Sequence, residues 1–396
     1  MLNESLKTVV ADRILPCVQT PAQYVGGEWN AVVKDHRGLR GTLCLAFPDA
    51  YSIGMSCHAV QVLYDLMNRR EGWACERAFA PMEDMELLLR EHRLPLWSLE
   101  TFTPLARFDV LGFTLQYDLC YSNVLTMLDL GGVPLLAEDR TMDHPLVVAG
   151  GPGTANPEPM SRFIDLFVVG DGEESLPEVC ELWVELKSRM RAAAGLPSSG
   201  TRDTGQAGSG VQPEREAILA EMAARLPYVY VPRFYQPEFG TDGRATVPRP
   251  IRGELPALIA PAVVEDLTAF PPPSAPVVPF VECVQDRIAV EIMRGCPGGC
   301  RFCQSTTLKR PLRFRSIDAI VQSAVEQYRN TGYNEISLLS LSSSDYPEFD
   351  VLVRRLHEIF RPLHVGVSLP SLRINEQLRV VGDVLNTDRH SGLTLA

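Results

Sequence analysis

Residues 294–316 read RGCPGGCRFCQSTTLKRPLRFRS and place Cys296, Cys300 and Cys303 in one short loop with Gly295, Gly298 and Gly299 among them. Glycine lets the backbone curl where a Cβ would clash, so three thiols in such a loop can turn inward together. The stretch directly follows RIAVEIM at 287–293, an apolar run that reads as a strand. Beyond it the spacing predicts a helix near 316–330, strand EISLLSL, helix PEFDVLVRRLHEIF, strand HVGVSL, helix NEQLRVVGDVLN and strand GLTLA. That is a βαβαβαβ run with the cysteine loop at the C-terminal end of its first strand, where α/β barrels carry their chemistry.

Composition limits what the loop can be. With 396 residues the chain is long enough for two or three domains with real cores, so it needs no disulfide stapling. No run of apolar residues at the N-terminus reads as a signal peptide, and none anywhere reaches the ~18 residues of a membrane span, so the expected location is the cytoplasm. There the ten cysteines stay reduced, and clustered ones point to metal or catalysis. The net charge of -12 speaks against a chain-wide nucleic-acid footprint. One local basic patch stands out, Lys309, Arg310, Arg313 and Arg315, which can serve salt bridges, a bound cofactor or nucleic acid.

The C-x3-C-x2-C spacing admits three readings: a [4Fe-4S] cluster with one iron left open, a zinc site with a fourth ligand from elsewhere, and a structural accident. Zinc sites usually pair C-x2-C with a second such pair or with two histidines, and neither is present; Cys283, the nearest other thiol, lies before the strand. Three thiolates and one open iron suit a cluster better.

Upstream, about 40–195 alternates apolar runs with amphipathic stretches, the pattern of an α/β domain with a mostly parallel sheet. GTLCLAF (41–47), FDVLGFTL (108–115), PLVVAGG (145–151) and IDLFVVG (164–170) read as strands, with helices at 57–70, 82–92, 118–132 and from 173 onward. Residues 195–214 are rich in Gly, Ser, Thr and Pro and read as a flexible linker. The expected domains are therefore 1–194, an N-terminal Rossmann-like α/β domain; 215–284, a helix plus β connector with a hairpin at GTDGRATVPR; and 285–396, the βα core.

The cysteine loop, with Phe302 as the aromatic before the third cysteine, resembles the radical S-adenosylmethionine superfamily. The whole stretch, with LLSLSSSDY and VSLPSLR behind it, is similar to a bacterial branch with a cobalamin-binding-like N-terminal domain. The resemblance implies a Rossmann-like N-terminal domain followed by an incomplete (βα) partial barrel. It also implies that Cys296, Cys300 and Cys303 hold a [4Fe-4S] cluster whose open iron binds S-adenosylmethionine. The reduced cluster would cleave the sulfonium to a 5′-deoxyadenosyl radical, with electrons from a flavodoxin or ferredoxin, to act on an unknown substrate, a small molecule or RNA.

By the same resemblance Phe302 lies near the adenine. The Gly-Gly-Glu motif of the second strand falls on Ser342, Ser343, Ser344 and Asp345, a departure from the family pattern, and Ser368 and Arg373 sit where relatives contact the ribose or carboxylate. In the N-terminal domain Gly150, Gly151, Gly170, Gly172 and Glu173 would line the nucleotide tail of cobalamin. The D-x-H-x-x-G signature of a cobalt-ligating histidine is absent, since His58 follows Asp49 at the wrong spacing. A cobalamin domain without protein ligation and a non-binding scaffold both stand open. Because superfamily cores have about six βα units and this chain ends in the fourth strand, the expectation is a partial sequence, or a short variant completed by a partner chain. The alternative function is a non-catalytic iron-sulfur or zinc module.

Overall fold

In the computed structural model GTLCLAF forms β1 (Gly41–Phe47), buried at every position. A strand with no polar face must be covered on both sides, which is what helices flanking a parallel sheet provide. Around it come α1 (His58–Arg69), β2 (Trp73–Phe79), α2 (Glu83–His92), β3 (Val110–Thr114), α3 (Tyr121–Leu130), β4 (Leu146–Gly150), β5 (Leu166–Val168) and α4 (Gly172–Ala193). The strands are parallel and ordered β2-β1-β3-β4-β5, and β6 (Val229–Tyr230) adds antiparallel to β5. The described residues are 4–193, 213–244 and 246–372. They divide into two compact units, 1–27 with 31–262, and 28–30 with 263 onward.

Strand β2 is the element the sequence hides. WACERAF carries a Glu-Arg pair in its middle, which reads as surface, yet Glu76 and Arg77 are both 1% exposed. Each charge is met. Glu76 accepts from Ser98 Oγ at 2.5 Å and Thr101 Oγ1 at 2.8 Å and lies 2.5 Å from His36 Nε2. Arg77 Nε donates to Glu100 Oε1 at 2.7 Å, and its guanidinium lies over the Tyr64 ring. Buried charges survive only when paired and hydrogen-bonded in this way.

The segment expected as a connector from 215 to 284 divides between the units at 262. Helix α5 (Pro213–Arg225) belongs to the first unit because Arg215 is buried there. Arg215 Nη2 donates to Asp165 Oδ2 and to the Pro145 carbonyl, both at 2.8 Å, and Arg140 Nη1 lies 3.2 Å from the same carboxylate. Burial pushes the Asp165 carboxyl up, and Arg215, Arg140, the Val147 N–H and Arg233 together outweigh it and hold it below its ordinary value. Further on, β7 (Tyr235–Gln236) pairs antiparallel with β8 (Arg249–Pro250), and the expected hairpin turns through Gly240 and Arg244 between them. Of the expected linker only Pro213 and Glu214 are described, and they open α5.

The second unit carries β9 (Ile288–Glu291), β10 (Met293–Arg294), β11 (Arg313–Phe314), α6 (Ile317–Thr331), β12 (Glu335–Leu339), α7 (Phe349–Phe360) and β13 (Gly366–Ser368). Strands β9, β12 and β13 form a parallel sheet in the order β13-β12-β9. One face packs Ile288, Val290, Ile336 and Leu338 against Ile320, Phe349, Leu352, Leu356 and Phe360 of the two helices. Each fully buried phenylalanine or leucine stabilises by roughly 1.5–3 kcal/mol. Ser316 caps α6 by accepting from the Ala319 N–H, and Gly332, at φ +73°, ends it. Residues 28–30 also belong here: Trp29 bridges Val278, and its Nε1 donates to the Asn330 carbonyl at 3.1 Å. The expected third helix, NEQLRVVGDVLN, and fourth strand, GLTLA, lie outside the described residues.

Candidate iron-sulfur centre and N-terminal glycine loops

The cysteine loop leaves the sheet from β9 and is closed at its base by a two-stranded clamp. Met293 pairs with Phe314 and Arg294 with Arg313, antiparallel, and the Arg315 N–H donates to the Ile292 carbonyl at 3.0 Å. Gly295 adjoins the clamp with φ +93°; a Cβ there would meet the Lys309 carbonyl oxygen at 2.6 Å. Only glycine allows that approach.

Within the loop all three cysteines are half-buried. The Gly298 N–H donates to Cys296 Sγ at 3.4 Å, and the Cys303 N–H to the Cys300 carbonyl at 3.1 Å. Cys303 opens onto the one-turn helix Ser305–Leu308. The Ser305 N–H and then its hydroxyl bring the Cys303 thiol below its ordinary pKa. Burial does the reverse elsewhere: it pushes Cys44 and Cys75 far up and Cys283 to about 12. Thiolates, not thiols, bind metals, so Cys303 is better suited to ligation than these buried thiols. Cys283, whose Sγ donates to the Val281 carbonyl, has the opposite chemistry.

Among the described residues no three His, Cys, Asp or Glu side chains close on a single metal ion. A [4Fe-4S] cluster spreads its cysteines over separate irons. The donor set, three sulfurs with no imidazole or carboxylate, fits the cluster.

The other expected residues fall in varied places. Phe302 is 94% exposed, so no protein wall forms around its ring. Ser342, Ser343 and Ser344 are buried in the turn after β12. There Ser342 Oγ donates to Asp345 Oδ2 at 2.6 Å and Ser343 Oγ to the Pro370 carbonyl at 2.8 Å. Ser343 thus ties the end of β12 to the segment after β13, and its hydroxyl proton is already committed. Ser368, in register with Ser337, is 7% exposed at the end of β13. Arg373 lies outside the described residues. The basic patch dissolves: Arg313 and Arg315 are buried and donate to the carbonyls of Val264, and of Leu267 and Phe270. Exposed Arg310 donates to the Thr306 carbonyl.

In the first unit the glycines expected along a nucleotide tail have reasons of their own. A Cβ on Gly151, at φ +92°, would lie 2.9 Å from the Leu115 carbonyl oxygen. One on Gly170, at φ +108°, would lie 2.2 Å from that of Ala262, whose N–H donates to Val169 and whose carbonyl accepts from Asp171. Gly172 faces Leu63, and Glu173 is buried in the first turn of α4. Of the four glycines only Gly150 has nothing within 4 Å. The chain's own backbone fills the space a Cβ would take at Gly151 and Gly170, so packing by itself requires glycine at these two positions. His58 opens α1, as a helix residue.

Sequence reasoning passed over Glu291, which pairs with Arg294 and Arg315 at the loop's base. The available signal was a carboxylate closing an otherwise apolar strand immediately before the cysteines.

Two family models match the chain: "Radical SAM proteins, N-terminal" over residues 59–197 and "Radical SAM superfamily" over residues 290–388. Together they cover more than half of it, and the chain belongs to the radical SAM proteins that carry this N-terminal domain. It is similar, at 23% identity over 351 residues, to an uncharacterized protein of Methanocaldococcus jannaschii, covering 87% of this chain and 56% of the relative. Solved structures of the radical S-adenosylmethionine methyltransferase TsrM from Kitasatospora setae also match. One, with tryptophan substrate and a S-adenosylmethionine analogue, shows 14% identity and a TM-score of 0.46 over 86% of this chain and 57% of that one. The other, with cobalamin and a [4Fe-4S] cluster, shows 16% identity and the same TM-score, over 86% and 56%. The chain thus spans little more than half the length of these relatives. No helix among the described residues is long and apolar enough to cross a membrane.

Proposed function

We propose that this chain is the radical-generating part of an enzyme, with Cys296, Cys300 and Cys303 as ligands of a [4Fe-4S] cluster that binds S-adenosylmethionine at its open iron. The observation that carries the reading is the set of three half-buried thiols in one glycine-rich loop at the C-terminal end of the first strand, one of them already acidified by Ser305. When bound and reduced, such a cluster would supply the electron for reductive cleavage of the sulfonium. The chain's own part is to hold the donors. The Gly298 N–H points at Cys296, the Ser305 N–H and hydroxyl favour the Cys303 thiolate, and the β10·β11 clamp closes the loop. The substrate, a small molecule or RNA, and a flavodoxin- or ferredoxin-type donor complete the proposal.

Anaerobic reconstitution with iron and sulfide tests it. The expected result is about four irons per chain, an EPR signal of the reduced cluster that changes on adding S-adenosylmethionine, and release of 5′-deoxyadenosine. A colourless, zinc-loaded chain with intact fold would sink the reading. A cluster whose signal ignores S-adenosylmethionine would favour the non-catalytic iron-sulfur module.

A further inference from the structure

The cysteine loop departs on one leg, Met293–Arg294, and returns on another, Arg313–Phe314 and then Arg315, and a single carboxylate grips both. Glu291 accepts from Arg294 through two bonds, Nε to Oε1 and Nη2 to Oε2, each 2.9 Å. Arg315 Nη2 donates to the same Oε2 at 3.2 Å. The side chains are 14%, 16% and 4% exposed, so water screens the trio weakly. Bidentate arginine-carboxylate pairs fix orientation as well as energy.

Arg315 is held from several other sides. Its guanidinium donates to the Leu267 and Phe270 carbonyls, and its own carbonyl accepts from the Tyr346 hydroxyl at 2.7 Å. The return leg is therefore the fixed one. Glu291 passes that rigidity to Arg294, two residues before Cys296. Glu291, Arg294 and Arg315 also bring formal charge to the base of the loop that carries the three cysteines. Nearby net charge is one of the levers that set a cluster's reduction potential.

We propose that Glu291 is a positioning residue for the thiolate loop: it ties the outgoing leg to the return leg and holds a negative charge between their arginines, so that charge changes in this trio shift the electrostatic potential at the three cysteines. The proposal rests on the reading of those cysteines as cluster ligands. Glu291 acts through the two arginines.

The test is a reductive titration, followed by EPR, of the anaerobically reconstituted full chain as wild type, Glu291→Gln, Glu291→Asp and Arg294→Gln, with iron, sulfide and far-UV CD measured on each. Glu291→Gln adds net positive charge and favours the more negative, reduced cluster, so its midpoint moves to more positive potential. Arg294→Gln removes a cation and moves the midpoint the other way. Glu291→Asp keeps the charge and moves it less than Glu291→Gln. Opposite signs at wild-type iron content are the signature of charge. Shifts of one sign or no shift in variants that keep fold and cluster overturn the proposal, whereas loss of iron from Glu291→Gln with the CD spectrum retained, and its retention in Glu291→Asp, supports the positioning role. Should Glu291→Gln fail to fold, Arg294→Gln decides alone, a negative shift supporting and any other result overturning it. A wild type that assembles no cluster defeats the underlying functional reading, whereas equal midpoints in cluster-bearing proteins defeat only the role of Glu291.

Discussion

Glu100 accepts from Arg77 twice, through the backbone N–H at 2.8 Å and Nε at 2.7 Å, and yet burial pushes its carboxyl up to about 6, with Arg77 pulling down and Glu76 pushing further up. Desolvation wins over the ion pair because the residue is cut off from water. The folded state then holds the Glu100 proton more tightly than the unfolded state, where a carboxyl of this kind titrates near 4.5. This contribution to stability is complete below about pH 4.5 and lost as pH rises through about 6, a span worth about 2 kcal/mol. Thermal unfolding from pH 4 to 7 should show that decline in the wild type and not in Glu100→Gln; parallel profiles would refute it. Nothing in the sequence marks this group, since PLWSLE (95–100) gives no hint that a carboxylate 23 positions away will meet Arg77 inside a sheet. The cysteines were legible for the opposite reason: their chemistry lies in a local spacing, and no tertiary contact is needed to see it.

At the level of elements, the strands that sequence reveals are those whose polarity matches their burial. GTLCLAF and PLVVAGG are apolar but for Thr42 and form β1 and β4, while WACERAF buries two charges and was invisible until Ser98, Thr101 and Glu100 could be placed beside it. The glycine loops were visible as glycine, whereas the packing that requires two of them was not. Gly151 and Gly170 sit at positive φ against the carbonyls of Leu115 and Ala262, contacts that only the folded chain defines. Two substitutions separate packing from ligand binding. Gly151→Val should cost more than about 1 kcal/mol in urea unfolding whether or not cobalamin is present, because both its backbone conformation and the space for its Cβ are wrong. Gly150→Ala, with nothing within 4 Å, should leave stability nearly unchanged. If hydroxocobalamin binds the wild type in anaerobic titration and Gly150→Ala abolishes it, the open space there is a ligand's; unaltered binding assigns that space to none. A Gly151→Val protein as stable as wild type would contradict the packing account.

Across the whole molecule the sequence pointed to an N-terminal α/β region and a C-terminal βα region, and the contacts place the division at 262 and 263, with residues 28–30 counted in the second unit. Composition cannot reveal such a boundary: α5 follows a Gly- and Ser-rich stretch, and only the buried Arg215–Asp165 pair shows to which core it belongs. The distribution of tryptophan turns this division into an experiment. Trp73, Trp97 and Trp183 are buried in the first unit, at 0%, 3% and 0% exposure, whereas Trp29 of the second is 68% exposed. A tryptophan already in water changes its emission little on unfolding, so the red shift of the whole chain reports the first core. Removing one of three thiolates by Cys300→Ala should abolish the labile cluster and its absorbance, a change confined to the second unit. The fluorescence midpoint in urea should then match that of wild type, because none of the three buried tryptophans lies in the unit that lost its ligand. Retention of full iron content by Cys300→Ala would defeat the ligand assignment. A fluorescence midpoint that falls with the cluster would show that the two cores do not unfold independently.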